Sequence, residues 1–278
     1  MSVVLALLSS LLWGTSDFLG GTATRRLPAA VVVGLSQAAA LVLLVPLALA
    51  FGSRPEHLLA GVAAGIAGVL GLGAFYAALA GGTMGVVAPI AALGALLPVA
   101  VGLARGETPS TLQVLGIAVA IAGVVLASGP ELTGGASPRP LLLACGAAVG
   151  FGLVAVLLAD GSKGAQGSFV VTLLVMRATS VGLMALALAL ALARGLPTGV
   201  VRGDAWLLIA IGVGDAGANA CFAVASRGGL LSVVAVLGSL YPVITILLAR
   251  QLQGERLRPI QVLGALGTLG GVALLAAG

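Results

Sequence analysis

The sequence predicts an all-α integral membrane protein with ten transmembrane helices, arranged as two inverted five-helix repeats. Three observations point there. Of the 278 residues, 60% are hydrophobic and only 8% charged, with mean hydropathy +1.23, whereas soluble domains carry roughly 25% charged residues. The apolar runs reach the ~20 residues that span a bilayer as a helix and lack the period-2 alternation of barrel strands. The second half of the chain also repeats the first in motif and spacing, which an odd number of spans per half would turn into an inverted copy.

The first span covers residues 3–21 and holds Asp17, the sole charge in its run. A cleaved leader is the competing account of this stretch. It would need a basic start and small residues near Asp17, and no Lys or Arg precedes Arg25, so a retained helix is expected. Arg25-Arg26-Leu27-Pro28 separates it from span two, residues 30–51, and Ser53-Arg54-Pro55-Glu56-His57 opens span three, residues 58–80. Gly82-Thr83 starts span four, which ends near Ala104, and Arg105-Gly106-Glu107-Thr108-Pro109 leads to span five, residues 111–128. The longest polar connection, residues 129–140, with Pro130, Pro138 and Pro140, reads as a linker between a first unit, 1–128, and a second, 141–278. Spans six to ten fall at 141–159, 168–193, 205–225, 229–249 and 259–277. None of the connections could hold a soluble domain, so the chemistry is expected inside the membrane.

The repeat is carried by residues. Gly82-Thr83-Met84-Gly85-Val86-Val87-Ala88 resembles Gly229-Leu230-Leu231-Ser232-Val233-Val234-Ala235, and Glu107 and Glu255 each precede Gln-Val-Leu-Gly by six residues. Trp13-Gly14 matches Phe151-Gly152, and Phe75-Tyr76 matches Cys221-Phe222. Together with Leu-Trp-Gly in span one, Gly85-Val86-Val87-Ala88-Pro89, Leu96-Leu97-Pro98, Gly106-Glu107, Leu240-Tyr241-Pro242 and Gly254-Glu255, the pattern resembles the EamA-type proteins of the drug/metabolite transporter superfamily along essentially the whole chain. That resemblance implies a ten-helix transporter of small metabolites, mostly an exporter, with a central cavity between the halves.

Charge placement bears on orientation and partners. The thirteen Lys and Arg are scattered singly between apolar spans, which suits topology signals and headgroups; nucleic acid is not expected as a partner. Alternate connections carry eight basic residues on one side (Arg25, Arg26, Arg139, Arg194, Arg202, Arg250, Arg256, Arg258) and four on the other (Arg54, Arg105, Lys163, Arg227). The positive-inside rule then puts both termini outside, while the resemblance implies termini inside, and the orientation stays open. The expected setting is a cell membrane, of the bacterial inner-membrane kind, with membrane lipids and a small-molecule solute as partners and no oligomer required. Cys145 and Cys221 lie inside apolar spans and are not expected to pair, His57 reads as a loop residue, and Trp206 as an interfacial anchor. The 43 glycines, with pairs such as Gly61/Gly65, Gly146/Gly150 and Gly267/Gly271, read mainly as close helix packing. Pro89, Pro98 and Pro242 are hinge candidates, with a kink needed only for packing as the alternative.

Polar residues within the spans are the site candidates, because a charge at membrane depth costs several kcal/mol and is functional by default. They are Asp17, Arg177, Asp215 and Asn219, the last two four apart on one helix face, and Gln37, which falls at the repeat position of Arg177. The repeat counterparts of Asp215 and Asp17 are Val69 and the region of Ala155, so the repeat itself does not require a charge at either place. These residues are expected to line a cavity that binds a small polar solute, with Asp17 or Asp215 coupling transport to protons. Trp13, one turn before Asp17, would form a wall or stack on a cation, and Tyr76 and Tyr241 would offer hydroxyls. The structural alternative is an ion pair from Arg177 to Asp215 or Asp17 that merely locks helices. Glu107 and Glu255 stand at helix starts, where a carboxylate suits the helix dipole. Phosphate loops, His/Cys metal clusters and Ser/His/Asp sets are absent from the sequence, so neither cofactor, metal nor catalytic residue is expected. The function expected is secondary transport of an amino acid or similar zwitterion or cation. A membrane-embedded enzyme acting on a lipid carrier is the alternative, and a passive lipid-binding or assembly subunit a third reading.

Overall fold

The structure, a computed structural model, describes residues 1–51, 57–81, 84–127, 138–164, 168–194, 202–253 and 259–278. Glu255, Arg54, Arg256 and Arg258 lie outside them. Every regular element among the described residues is helical, as apolar surroundings demand, since a helix satisfies all its backbone groups within one segment. In chain order these are α1 (Ser2–Ala23), α2 (Ala29–Phe51), α3 (Leu58–Gly81), α4 (Met84–Ala92), α5 (Leu96–Ala104), α6 (Thr111–Ala127), α7 (Pro138–Gly161), α8 (Ser168–Ala193), α9 (Ala205–Gly228), α10 (Leu231–Gly238), α11 (Tyr241–Gln253) and α12 (Pro259–Ala277).

Seven stretches are long and apolar enough to cross a membrane: Ser2–Ala23, Ala29–Ala50, Leu58–Gly81, Arg139–Gly161, Ser168–Leu190, Ala205–Gly228 and Leu231–Leu252. Three further apolar helices, Ile90–Ala104, Thr111–Leu126 and Val262–Leu275, are shorter. The expectation of ten uniform spans is therefore met only in part. At 1.5 Å per residue the 17-residue α6 rises about 26 Å, short of a ~30 Å hydrocarbon core.

Two expected spans are broken in mid-course. The fourth divides into α4 and α5 around a 3-10 turn, Leu93–Ala95, and the ninth into α10 and α11 at Ser239 and Leu240. Pro98 and Pro242 each fall in the first turn of the second segment, where an amide would have no intrahelical acceptor and its absence is harmless. Ser239 donates its hydroxyl to the Val236 carbonyl at 2.8 Å, meeting one of the carbonyls that the end of α10 leaves open.

The Gly-Glu pair after α5 has a clear physical role. Gly106 adopts φ +86°, and the amides of Gly106 and Glu107 return to the carbonyls of Leu103 and Gly102 at 3.0 Å each, a Schellman stop that a residue with a side chain would strain. The turn aims Glu107 across the molecule: its carboxylate accepts the amides of Leu231 at 2.6 Å and Ser232 at 3.0 Å. The expectation that Glu107 serves the dipole of its own following helix is corrected. It caps α10, in the other half of the chain, by the same electrostatics.

Most tight packing runs between the halves. The principal pairs are α6 with α12, α3 with α7, α1 with α9, α3 and α2 with α8, and α10 with α5. Small residues permit it: a Cβ at Gly150 of α7 would sit 2.7 Å from the Gly71 Cα of α3, and one at Gly65 would sit 2.6 Å from Thr179 of α8. Gly146, by contrast, faces open space. Both cysteines are free, Trp206 is 82% exposed at the start of α9, and His57 places Nε2 2.9 Å from the Lys163 carbonyl, so that nitrogen carries the proton.

Candidate functional site

Asp215, in the middle of α9, gathers side chains from three other helices. Its Oδ1 accepts from Trp13 Nε1 of α1 at 3.2 Å and from Asn219 Nδ2, one turn on, at 3.0 Å. Its Oδ2 accepts from Gln37 Nε2 of α2 at 3.1 Å and lies 2.8 Å from Arg177 Nη2 of α8. That last approach is an ion pair without hydrogen-bond geometry, and the buried Nη2 has no hydrogen-bond partner among the described residues. Arg177 Nη1 donates to Gln37 Oε1. The amide of Gln37 is thus matched at both ends, a donor to the carboxylate and an acceptor from the guanidinium; flipped, it would set like against like. Arg177 and Gln37 are each 2% exposed, and a pair at such depth is tolerable only when closely partnered. The choice left open by the sequence resolves to Asp215 rather than Asp17 as the partner of Arg177.

Asp17 is in a different position. It is 6% exposed, yet among the described residues its carboxylate receives no hydrogen bond or ion pair, and its oxygens do not belong to the fully enclosed unpartnered atoms. They face a cavity of about 90 Å³, which is lined in part by Trp13, Asp17, Gln37, Arg177, Asp215 and Asn219. Tyr241 also lines it, and its hydroxyl reaches the Ala88 carbonyl of α4 at 3.4 Å. Both broken spans contribute walls, through Gly94, Ala95 and Pro98 on one side and Gly238 and Ser239 on the other. Pro242 does not line the cavity, and the Pro89 side chain lies outside the described residues.

Seven of the eight expected cavity residues therefore share one space. Tyr76 is the exception: it is 1% exposed, outside the cavity lining, and packed against α1 so tightly that a Cβ at Gly20 would collide with its ring. Phe222, its counterpart in the repeat, does line the cavity, with its ring centroid 5.7 Å from that of Trp13. Phe151, the counterpart of Trp13, lines it too. Sequence reasoning used both phenylalanines only as repeat markers, although that same correspondence with Trp13 and Tyr76 was the signal that could have found them. Among the described residues no three His, Cys, Asp or Glu side chains are placed to hold a metal ion.

Residues 1–129 and 138–277 each match the model of the EamA-like transporter family. The chain belongs to the EamA-like transporter family. It is accordingly a multi-pass membrane transporter, set in lipid and handling small solutes. No curated protein matches it. Among solved structures, one described as "Crystal structure of protein" aligns with TM-score 0.76 at 20% identity, over 99% of this chain and 98% of its own length, a likeness of fold alone. In this EamA-like protein both matched stretches contribute to the cavity lining, α1, α2, α3, α4 and α5 from the first and α7, α8, α9, α10 and α11 from the second.

Proposed function

We propose that this EamA-like protein is a ten-helix, inverted-repeat secondary transporter that carries a small polar metabolite outward by alternating access, with proton exchange at Asp17. The observation that carries the reading is the unequal partnering of two carboxylates beside one cavity. Asp215 has four side-chain partners, one of them a guanidinium, whereas Asp17 has none among the described residues. The charge of Asp215 is already compensated by its neighbours. A carboxylate without a partner, in a poorly solvated space, is stabilised by whichever of proton or solute is at hand.

Packing supports the architecture. The cross-half pairs α1 with α9 and α7 with α3 are the two images of one contact under exchange of the halves, as a pseudo-two-fold relation requires. The breaks in the fourth and ninth expected spans border the cavity, so movement there would change access to it, and Pro89, Pro98 and Pro242 are the candidate hinges. The test is solute flux in proteoliposomes under an imposed pH gradient. Asp17→Asn is expected to fold and to lose gradient-driven accumulation. If it accumulates solute as the wild type does, Asp17 is not the coupling group; if no member of a broad metabolite panel moves, the polar-metabolite reading fails.

A further inference from the structure

The charges that face the cavity are Asp17, Asp215 and Arg177, which leaves one negative charge in excess among the described lining residues. Arg177 and Asp215 balance each other at 2.8 Å, so the excess resides on Asp17 in its deprotonated state, the state in which it awaits a proton or a solute. We infer that this site, taken as the solute site of the transport reading above, selects a small organic monocation, a protonated amine on an apolar body, over the zwitterion built on the same body. A monocation beside Asp17 makes the buried complex neutral. A zwitterion would leave the negative charge uncompensated and would bring a second carboxylate next to it.

The uncommitted hydrogen-bonding groups agree. Asn219 is 2% exposed, spends its amide nitrogen on Asp215, and has its Oδ1 enclosed. The acceptor positions open to the cavity are those of Asp17. The donors that would hold a carboxylate are spoken for: Trp13 Nε1 and Gln37 Nε2 bind Asp215, and Arg177 Nη1 binds Gln37. Arg177 Nε and Nη2 make no hydrogen bond among the described residues, but both are enclosed and belong to a guanidinium whose charge Asp215 already balances. Trp13, Phe151, Phe222 and Tyr241 supply ring surface suited to an ammonium group.

Binding to the full-length protein tests this. The chain has two tryptophans, so Trp206→Phe, at an 82% exposed position, leaves Trp13 as the sole reporter. Its fluorescence is titrated in nanodiscs at neutral pH with two matched pairs, phenethylamine against phenylalanine and isoamylamine against leucine. Each amine is expected to bind at least tenfold more tightly than its amino acid. Asp17→Asn should abolish that preference and Asp17→Glu should keep it. Equal or tighter binding of the amino acids, an undiminished preference in Asp17→Asn, or no response to any of the four solutes overturns the inference. Amino-acid flux in proteoliposomes alongside any of those results would leave the transport reading standing, so the two fail separately.

Discussion

Asp17 and Asp215 are the same side chain beside one cavity, and what distinguishes them is company. Removing one member of a buried ion pair leaves the other uncompensated, at a typical cost of about 3–5 kcal/mol, so Asp215→Asn should sharply lower the unfolding midpoint in detergent by stranding Arg177, which is 2% exposed. Asp17→Asn strands nothing and removes an unpartnered charge, so its midpoint should stay level or rise while solute dependence is lost. Equal destabilisation of the two variants would show that Asp17 has a partner after all. The candidates themselves were legible in the sequence, because a charge in an apolar run stands out and the repeat aligned Gln37 with Arg177. Their partnering was not. Tyr76 shows why: successive residues on a helix point about 100° apart, and a nearly uniform apolar run gives no sign of which direction is inward.

At the level of elements, the consequential joint is the turn from α5 to the start of α10. Charged caps at a helix N-terminus contribute on the order of 1 kcal/mol, and Glu107 binds two amides of a helix only eight residues long. Glu107→Ala should therefore lower stability by about 1–2 kcal/mol, with faster hydrogen exchange concentrated at Leu231 and Ser232. Glu107→Gln, which keeps an acceptor but loses the charge, should fall between. Gly106→Ala, at φ +86°, should cost about 1 kcal/mol through backbone strain and slacken the same cap. Uniform exchange across α10 in Glu107→Ala would mean that the cap does not hold that terminus. A carboxylate at a helix start was readable from the sequence, but the helix it serves begins more than a hundred residues further on.

For the whole molecule, the packing opposes the use of the two halves of the sequence as rigid mechanical units. Rigid rocking of residues 1–128 against 141–278 would break the packing of α1 on α9, α3 on α7, α2 on α8 and α6 on α12 at once. The breaks between α4 and α5 and between α10 and α11 border the cavity and leave those pairs intact. Because each half supplies the other's helix partners, a chain divided between residues 129 and 138 should yield little monodisperse protein from either piece alone, and co-expression should restore it. Folding of one half by itself, measured by size exclusion and resistance to proteolysis, would contradict this. The close approach of Gly150 to Gly71 makes Gly150→Leu a local version of the same test, since added bulk must separate α3 from α7.

The sequence alone determined that this is a helical membrane protein of repeated halves, together with the short set of polar residues that its membrane would not tolerate without purpose. Those properties follow from transfer free energies and from spacing along the chain, both of which are local. Tertiary structure alone decided that Arg177 belongs to Asp215, that Asp17 is left facing the cavity, that Tyr76 is packing and Phe222 is wall, and that Glu107 caps a helix in the opposite half. Each of these depends on which helix faces which. In a chain whose helices are apolar on nearly every side, that choice rests on close packing of small residues and on a few long-range polar contacts, which no local pattern encodes.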